Sequence, residues 1–176
     1  MRTFRSPLGL FAGLLVVVLL SSASRAVTDT AGAVEATAVD IQWLDWNAAV
    51  AARKTEPKPL IIDVYTDWCG WCKRMDATTF KEPEVAAYIA KNFYAVKLNA
   101  EQRADITYDG HTFSYVRSNG RGYHELAQSL LDGRLEYPNF VYFNERMERV
   151  MISPGYKEPD ALMKELKYVM GEGERP

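Results

Sequence analysis

One hexapeptide, Trp68-Cys69-Gly70-Trp71-Cys72-Lys73, limits what this chain can fold into and do more than any other stretch. It holds both cysteines of the 176-residue sequence, three positions apart. Shortly before it runs Leu60-Ile61-Ile62-Asp63-Val64-Tyr65, apolar almost without alternation, which predicts a strand buried on both faces. Two thiols at this spacing can close on each other if the first caps a helix and the second lies one turn inside it. The free N–H groups of a helix start favour a thiolate there, and can bring a cysteine pKa from about 8.5 into the range of roughly 3.5–7.5. Disulfide exchange requires an attacking thiolate and a second thiol that resolves the mixed disulfide. Cys69 is therefore the expected nucleophile and Cys72 the expected resolving thiol. Gly70 leaves the first turn uncrowded, Trp68 walls the exposed sulfur, and Lys73 adds a positive charge just past the pair.

Plainer readings fare worse. A disulfide stabilises mainly by closing a long loop, and this loop is very short. A structural zinc takes four ligands; beyond the pair only His111 and His124 remain, neither at ligand spacing. Copper would call for a Met or His cluster beside the thiols, and there is none. No metal and no cofactor other than the Cys69–Cys72 disulfide itself is expected.

Residues 1–26 differ from the rest. Arg2 and Arg5 precede an apolar run from Leu8 to Leu20, and Ser24-Arg25-Ala26 fits a small-x-small cleavage site. This reads as a secretory signal peptide cleaved near Ala26, the run being short for a membrane span; an uncleaved anchor is the competing reading. Without residues 1–26, which hold three arginines and no acid, 18 basic and 23 acidic side chains remain, a net of −5. That balance argues against nucleic acid or an anionic membrane as partner. Export would place the thiols outside the reducing cytosol, in a bacterial periplasm.

Positions 27–40 are small, polar and without apolar period, and read as a flexible spacer. The domain is expected over 41–171, with 172–176 frayed. Helical spacing of apolar residues runs from Trp43 to Lys54 and stops at Pro57 and Pro59. After the thiol pair the helix continues to about Thr79, and Pro83 opens another. Phe93 to Asn99 alternates as a strand. Ile106-Thr107-Tyr108, Asp109-Gly110 and Thr112 to Val116 predict a β-hairpin with a type I′ turn. Ser118 to Gly122 reads as a loop, and Tyr123 to Leu131 as a helix ended by Asp132-Gly133. Tyr137 to Asn144 and Met147 to Ile152 predict paired strands, and a terminal helix starts at Lys157-Glu158-Pro159-Asp160. Trp43, Trp46, Tyr88 and Tyr94 read as core, as do Met147, Met151, Met163 and Met170.

This order of elements, with the hexapeptide after the first buried strand, resembles the thioredoxin fold. It looks most like exported bacterial thioredoxin-like proteins carrying Asp-Trp-Cys-Gly-Trp-Cys-Lys; the C-terminal domain of the membrane thiol reductant of bacterial envelopes is a related case. Asp63 stands where that family has a buried acid, Lys97 where it has a lysine near the acid, and Tyr137-Pro138 matches its cis-proline. Trp71 and the 100–120 insertion depart from plain thioredoxin. The resemblance implies an α/β domain, a central mixed sheet flanked by helices, with the hairpin inserted.

It also implies a mechanism. Asp63, an acid in an apolar strand, should have a raised pKa and could take the Cys72 proton; the bland alternative is an Asp paired with Lys97. A cis Tyr137–Pro138 bond would turn backbone toward the sulfurs, where Tyr137 pairs with a client strand. The Tyr137 side chain either narrows that groove or packs on Trp71. Trp68, Gly70, Trp71, Tyr137 and Pro138 are thus the expected client contacts, with Lys97 and Lys73 in support. The expected activity is a monomeric, exported thiol–disulfide oxidoreductase that reduces disulfide-containing client proteins and is recharged by a membrane thiol donor. A disulfide oxidase or isomerase is the alternative within that class, and a client-binding module with a permanently closed disulfide the alternative outside it.

Overall fold

The computed structural model describes residues 39–118 and 120–176. The expected signal peptide, its cleavage point, positions 27–38 of the spacer and Asn119 lie outside the described residues. From Trp43 the chain forms β1 (Trp43–Leu44), α1 (Trp46–Arg53), β2 (Leu60–Tyr65) and α2 (Gly70–Ala77). A 3-10 turn (Thr79–Lys81), α3 (Pro83–Asn92) and β3 (Tyr94–Asn99) follow. Two short hairpins come next, β4 (Ile106–Tyr108) with β5 (His111–Phe113) and β6 (Tyr115–Ser118) with β7 (Arg121–His124). The chain ends with α4 (Glu125–Leu130), β8 (Asn139–Phe143), β9 (Arg149–Pro154) and α5 (Pro159–Val169). Among the described residues no helix is long and apolar enough to cross a membrane.

Five strands make the central sheet in the order β1-β3-β2-β8-β9. β1, β3 and β2 are parallel, and β8 and β9 continue the sheet antiparallel. This is the α/β thioredoxin fold, a mixed sheet flanked by helices, with small hairpins added. β2 lies at its centre because both of its faces are apolar. Leu60, Ile62 and Val64 enter one core with Trp46, Ala49, Leu126, Ala127 and Leu130. Ile61 enters the other with Met75, Val85, Ile89, Leu162 and Leu166, which come from α2, α3 and α5. Strand alternation puts Asp63 on the same face as Ile61, so the acid is turned toward α2 rather than α1.

The helix starts have local causes. The Asp45 carboxylate accepts the Ala48 N–H (2.7 Å) and starts α1. Pro83 and Pro159 sit in the first turns of α3 and α5, where a missing N–H costs nothing. Asp109 and Gly110 both have positive φ (50° and 75°), as a type I′ turn demands.

Several boundaries differ from expectation. Trp43 and Leu44, expected in the first helix, form β1 by pairing with Ala95 and Val96. The helix through the thiols ends at Ala77 rather than Thr79, and α4 starts at Glu125 rather than Tyr123. The expected single hairpin over 106–116 is two hairpins, since Tyr115 and Val116 pair with His124 and Tyr123 instead of extending β5. Of the expected loop at 118–122, Ser118 ends β6 and Arg121 and Gly122 open β7. Gly122 belongs to its packing: a Cβ there would lie 1.6 Å from the Tyr115 Oη, which crosses the strand pair in that space. β9 runs on to Pro154, an edge position that tolerates proline. At the far end, Tyr88 donates to the Glu172 carboxylate (2.7 Å), which ties down the start of the expected frayed tail.

Candidate active site

β2 delivers the chain to the redox pair. Four residues past its end, Cys69 caps α2 in an extended conformation and accepts the Cys72 N–H at its Sγ (3.1 Å). Cys72 lies one turn inside, and the two are joined as a disulfide with Cα atoms 5.3 Å apart. Cys69 is the N-cap, so its sulfur is the one at the positive end of α2. The expectation of an exposed first sulfur is corrected: Cys69 is 4% and Cys72 2% exposed. Accessibility does not separate the two roles; position on the helix does. The exposed groups are the flanking indoles, Trp68 at 66% and Trp71 at 57%. Gly70 is the first residue of α2, and nothing lies within 4 Å of where its Cβ would be. Lys73 is exposed, and its tie to the pair is a backbone N–H donated to the Cys69 carbonyl (3.2 Å).

The opposite wall comes from the loop before β8. Asn139 pairs with Val64, so this loop lies beyond the same end of β2 from which Cys69 is reached. The Tyr137–Pro138 peptide is cis, and the Pro138 carbonyl accepts the Gly155 N–H (2.8 Å). Tyr137 does not pack on Trp71. Its ring meets Trp68 edge-on, with centroids 5.9 Å apart. Trp71 turns the other way, onto Tyr156 at 5.2 Å, with the Arg74 guanidinium 5.7 Å from one ring and 5.6 Å from the other. Burial, with Glu101 nearby, pushes the Tyr137 phenol up to about 12, so it is a neutral hydroxyl.

Trp68 is held although exposed. Its indole N–H is shared between both Glu101 carboxylate oxygens at 3.1 Å each. The Glu101 N–H donates to the Asn99 side chain (2.8 Å), which in turn donates to Asp67 (3.0 Å). Glu101 and Tyr156 were not legible as site residues, because their partners come from distant loops and carry no spacing signal.

On the α2 face of β2, Asp63 is 1% exposed. Its Oδ2 accepts from the Lys97 ammonium at 2.6 Å, and its Oδ1 has no hydrogen-bond partner among the described residues. Burial raises its pKa to about 6, although Lys97 pulls the other way. Burial also works against the Lys97 charge, but Asp63 and Asp76 outweigh it and its pKa rises. The β2–β3 register sets Asp63 directly beside Lys97. The ammonium is boxed by the Trp43, Tyr65 and Phe80 rings, 4.7, 5.1 and 5.2 Å from their centroids. It also donates to the carboxylate of Asp76, more than a third exposed on α2. Asp76 had a usable signal: it follows Cys72 by four positions and so shares its helix face.

The histidines stand apart from the pair. His111 is exposed against Phe113. His124 is buried; its Nδ1 accepts the Leu126 N–H (3.2 Å), its Nε2–H donates to the Ala104 carbonyl (3.1 Å), and burial lowers its pKa. Among the described residues no group of three or more His, Cys, Asp or Glu could hold a metal ion.

A disulfide-linked cysteine pair at a helix start, a cis-proline loop and a buried acid on the α2 face of the sheet now stand together. A model of the thioredoxin-like DsbH family, described as a protein of unknown function, DUF255, matches residues 31–153, well over half of the chain. The chain belongs to this family. The DsbH-family match spans Asp63, both cysteines, Lys97 and the Tyr137–Pro138 loop. Spermatogenesis-associated protein 20 of Homo sapiens is 32% identical over 85 residues, 47% of this chain and 11% of that protein. Thiol:disulfide interchange protein DsbD 2 of Pseudomonas aeruginosa is 36% identical over 67 residues, 38% of this chain and 11% of that protein. The match thus spans about a ninth of the length of these relatives. Among solved structures, a DsbH oxidoreductase aligns with a TM-score of 0.55 at 15% identity, over 76% of this chain and 87% of that one. A thioredoxin from Thermus thermophilus aligns at 0.57 and 18%, over 76% and 90%. At such identities these two speak for the fold alone.

Proposed function

We propose that this DsbH-family chain is an exported, periplasmic thiol–disulfide oxidoreductase that reduces disulfides in client proteins. The observation that carries it is the Cys69–Cys72 pair at the start of α2, between exposed Trp68 and Trp71 and backed by buried Asp63. The Cys69 thiolate attacks one sulfur of a client disulfide. The client S–S bond breaks, a Cys69–client bond forms, and the first client thiolate leaves. Cys72 then passes its proton to the Asp63 carboxylate and attacks the Cys69 sulfur. The Cys69–Cys72 bond closes and the second client thiolate leaves. The client gains two electrons and the pair loses two. A membrane thiol donor returns them, because a bacterial envelope has no buffering thiol pool of its own.

Trp68, Trp71 and the Tyr137–Pro138 backbone frame the client segment, Gly70 keeps the first turn open, and Lys97 holds the acid. Reduction rather than oxidation is favoured by Asp63, whose carboxylate is ionised near neutrality and available as a base for the resolving thiol. Trapping tests the reading. A Cys72→Ser protein is expected to collect clients as mixed disulfides through Cys69, and Cys69→Ser to lose turnover of a model disulfide. The low exposure of both sulfurs favours one other reading, a closed-disulfide client clamp. Clients retained by Cys69→Ser, with no thiol-linked partner captured by Cys72→Ser, would establish the clamp instead.

A further inference from the structure

We propose that the groove between Trp68 and the β6–β7 hairpin is a client subsite for an acidic polypeptide flank of the client's disulfide. This rests on the thiol–disulfide reading above. The groove measures about 580 Å³, and its lining includes Trp68, Glu101, Tyr115, Arg117, Gly122 and Tyr137. Trp68 and Tyr137 border the redox pair and the cis-proline loop, so a segment seated against them runs on into the groove.

The inserted hairpin builds the far wall. Arg117 and Gly122 face each other across it, and the Tyr115 side chain lies where a Gly122 Cβ would be. Tyr115, Trp68 and Tyr137 therefore offer aromatic surface. The hairpin is fixed to the domain: the His124 N–H donates to the Ala100 carbonyl (2.6 Å) and the Ser114 N–H to the Glu125 carboxylate (2.8 Å). A wall anchored in this way holds its shape for a client.

The charges decide the class of occupant. Glu101 is the acid of the groove lining and keeps its charge, but the Trp68 indole N–H shared between its two oxygens holds it on the Trp68 wall, opposite the hairpin that carries Arg117. Arg117 is exposed and has no ion-pair or hydrogen-bond partner among the described residues. The Arg103 guanidinium lies 4.5 Å from the Tyr115 ring centroid, and the sequence 115–124 contains Arg117 and Arg121 and no acid. A guanidinium beside aromatic faces suits a carboxylate next to a flat or apolar side chain, through a two-pronged contact that an amide or ammonium cannot make. The chain as a whole is slightly acidic, net −2, so this selection is local and not a general attraction for anions.

The test uses the reduced protein and three synthetic peptides, each disulfide-linked to a small leaving thiol. Their cysteine is flanked by Tyr-Glu, Tyr-Gln or Tyr-Lys, and each kcat/KM is divided by that for a small disulfide with no peptide. The Glu peptide is expected to exceed the Lys peptide about fivefold, as one partly exposed ion pair permits. The gap should shrink at high salt. Arg117→Gln should level the series and Arg117→Glu invert it. Equal values on the unmodified protein, or an acidic preference undiminished in Arg117→Glu, would overturn the subsite and leave disulfide exchange standing. If no disulfide is reduced at all, the exchange reading fails. The subsite is then read from Trp fluorescence titrations with the same peptides carrying Ser for Cys: the same ranking supports it, and no ranking overturns it.

Discussion

Asp63 sits in a strand whose other residues are apolar, and the consequence is thermodynamic as well as chemical. The free carboxyl titrates near 3.8 and the folded one near 6, so between those pH values the folded state holds more protons than the unfolded chain. The unfolding free energy therefore falls as pH rises from about 4 to about 6, by on the order of 2–3 kcal/mol. The stability is full below that window and lost above it. Urea unfolding at pH 4, 5, 6 and 7 should show this negative slope, and Asp63→Asn should flatten it. The proposed mechanism carries the same acid into the kinetics: a base for Cys72 must be ionised, so the resolving step should slow as pH falls through about 6. Asp63→Asn should slow resolution at pH 7 at least about tenfold and remove that limb, leaving the mixed disulfide to accumulate in single-turnover experiments. An unchanged pH limb would reduce Asp63 to the partner of Lys97 and nothing more.

At the scale of elements, buried polar contacts tie helices to the sheet. The Glu165 carboxylate of α5 accepts from the Tyr142 hydroxyl of β8 (2.8 Å) and the Ser153 hydroxyl of β9 (2.5 Å), all three residues being buried. Tyr142→Phe leaves this buried carboxylate one donor short and should cost about 1–3 kcal/mol in urea unfolding, with exchange chemistry intact. Gly122→Ala should cost a similar amount, since its methyl would strike the Tyr115 ring. Pairing it with Tyr115→Ala should recover most of that loss, a coupling that independent sites would not show. These two sites also mark where the sequence stops being legible. β2, α2 and β8 follow from apolar runs, one capping cysteine and one proline, all local signals. β1 is two residues long and exists only because Ala95 and Val96 offer it an edge. The second hairpin was hidden because Gly120 and Gly122 read as loop chemistry, while Gly122 in fact makes room for a tyrosine seven residues away. The cysteines were found from their spacing, and Asp63 and Lys97 from the places the thioredoxin resemblance gave them. Glu101 and Tyr156, which pose the two tryptophans, depend on long-range contacts that no spacing encodes.

At the scale of the molecule, the DsbH-family domain puts the Cys69–Cys72 pair beside the Tyr137–Pro138 loop and the groove lined by Trp68 and Tyr137, with the buried Asp63 on the α2 face of the same five-stranded sheet. The start of α2 favours a thiolate at Cys69 and so bears on the dithiol–disulfide balance, which is a single number, the reduction potential of Cys69–Cys72. Equilibrating the protein in graded dithiothreitol buffers and counting alkylated thiols measures it directly. A reductase of client disulfides should fall between glutaredoxin-like and thioredoxin-like values, about −200 to −270 mV. A potential above about −150 mV, close to that of a strong periplasmic oxidant, would mean that electrons flow into this pair from clients and not out of it.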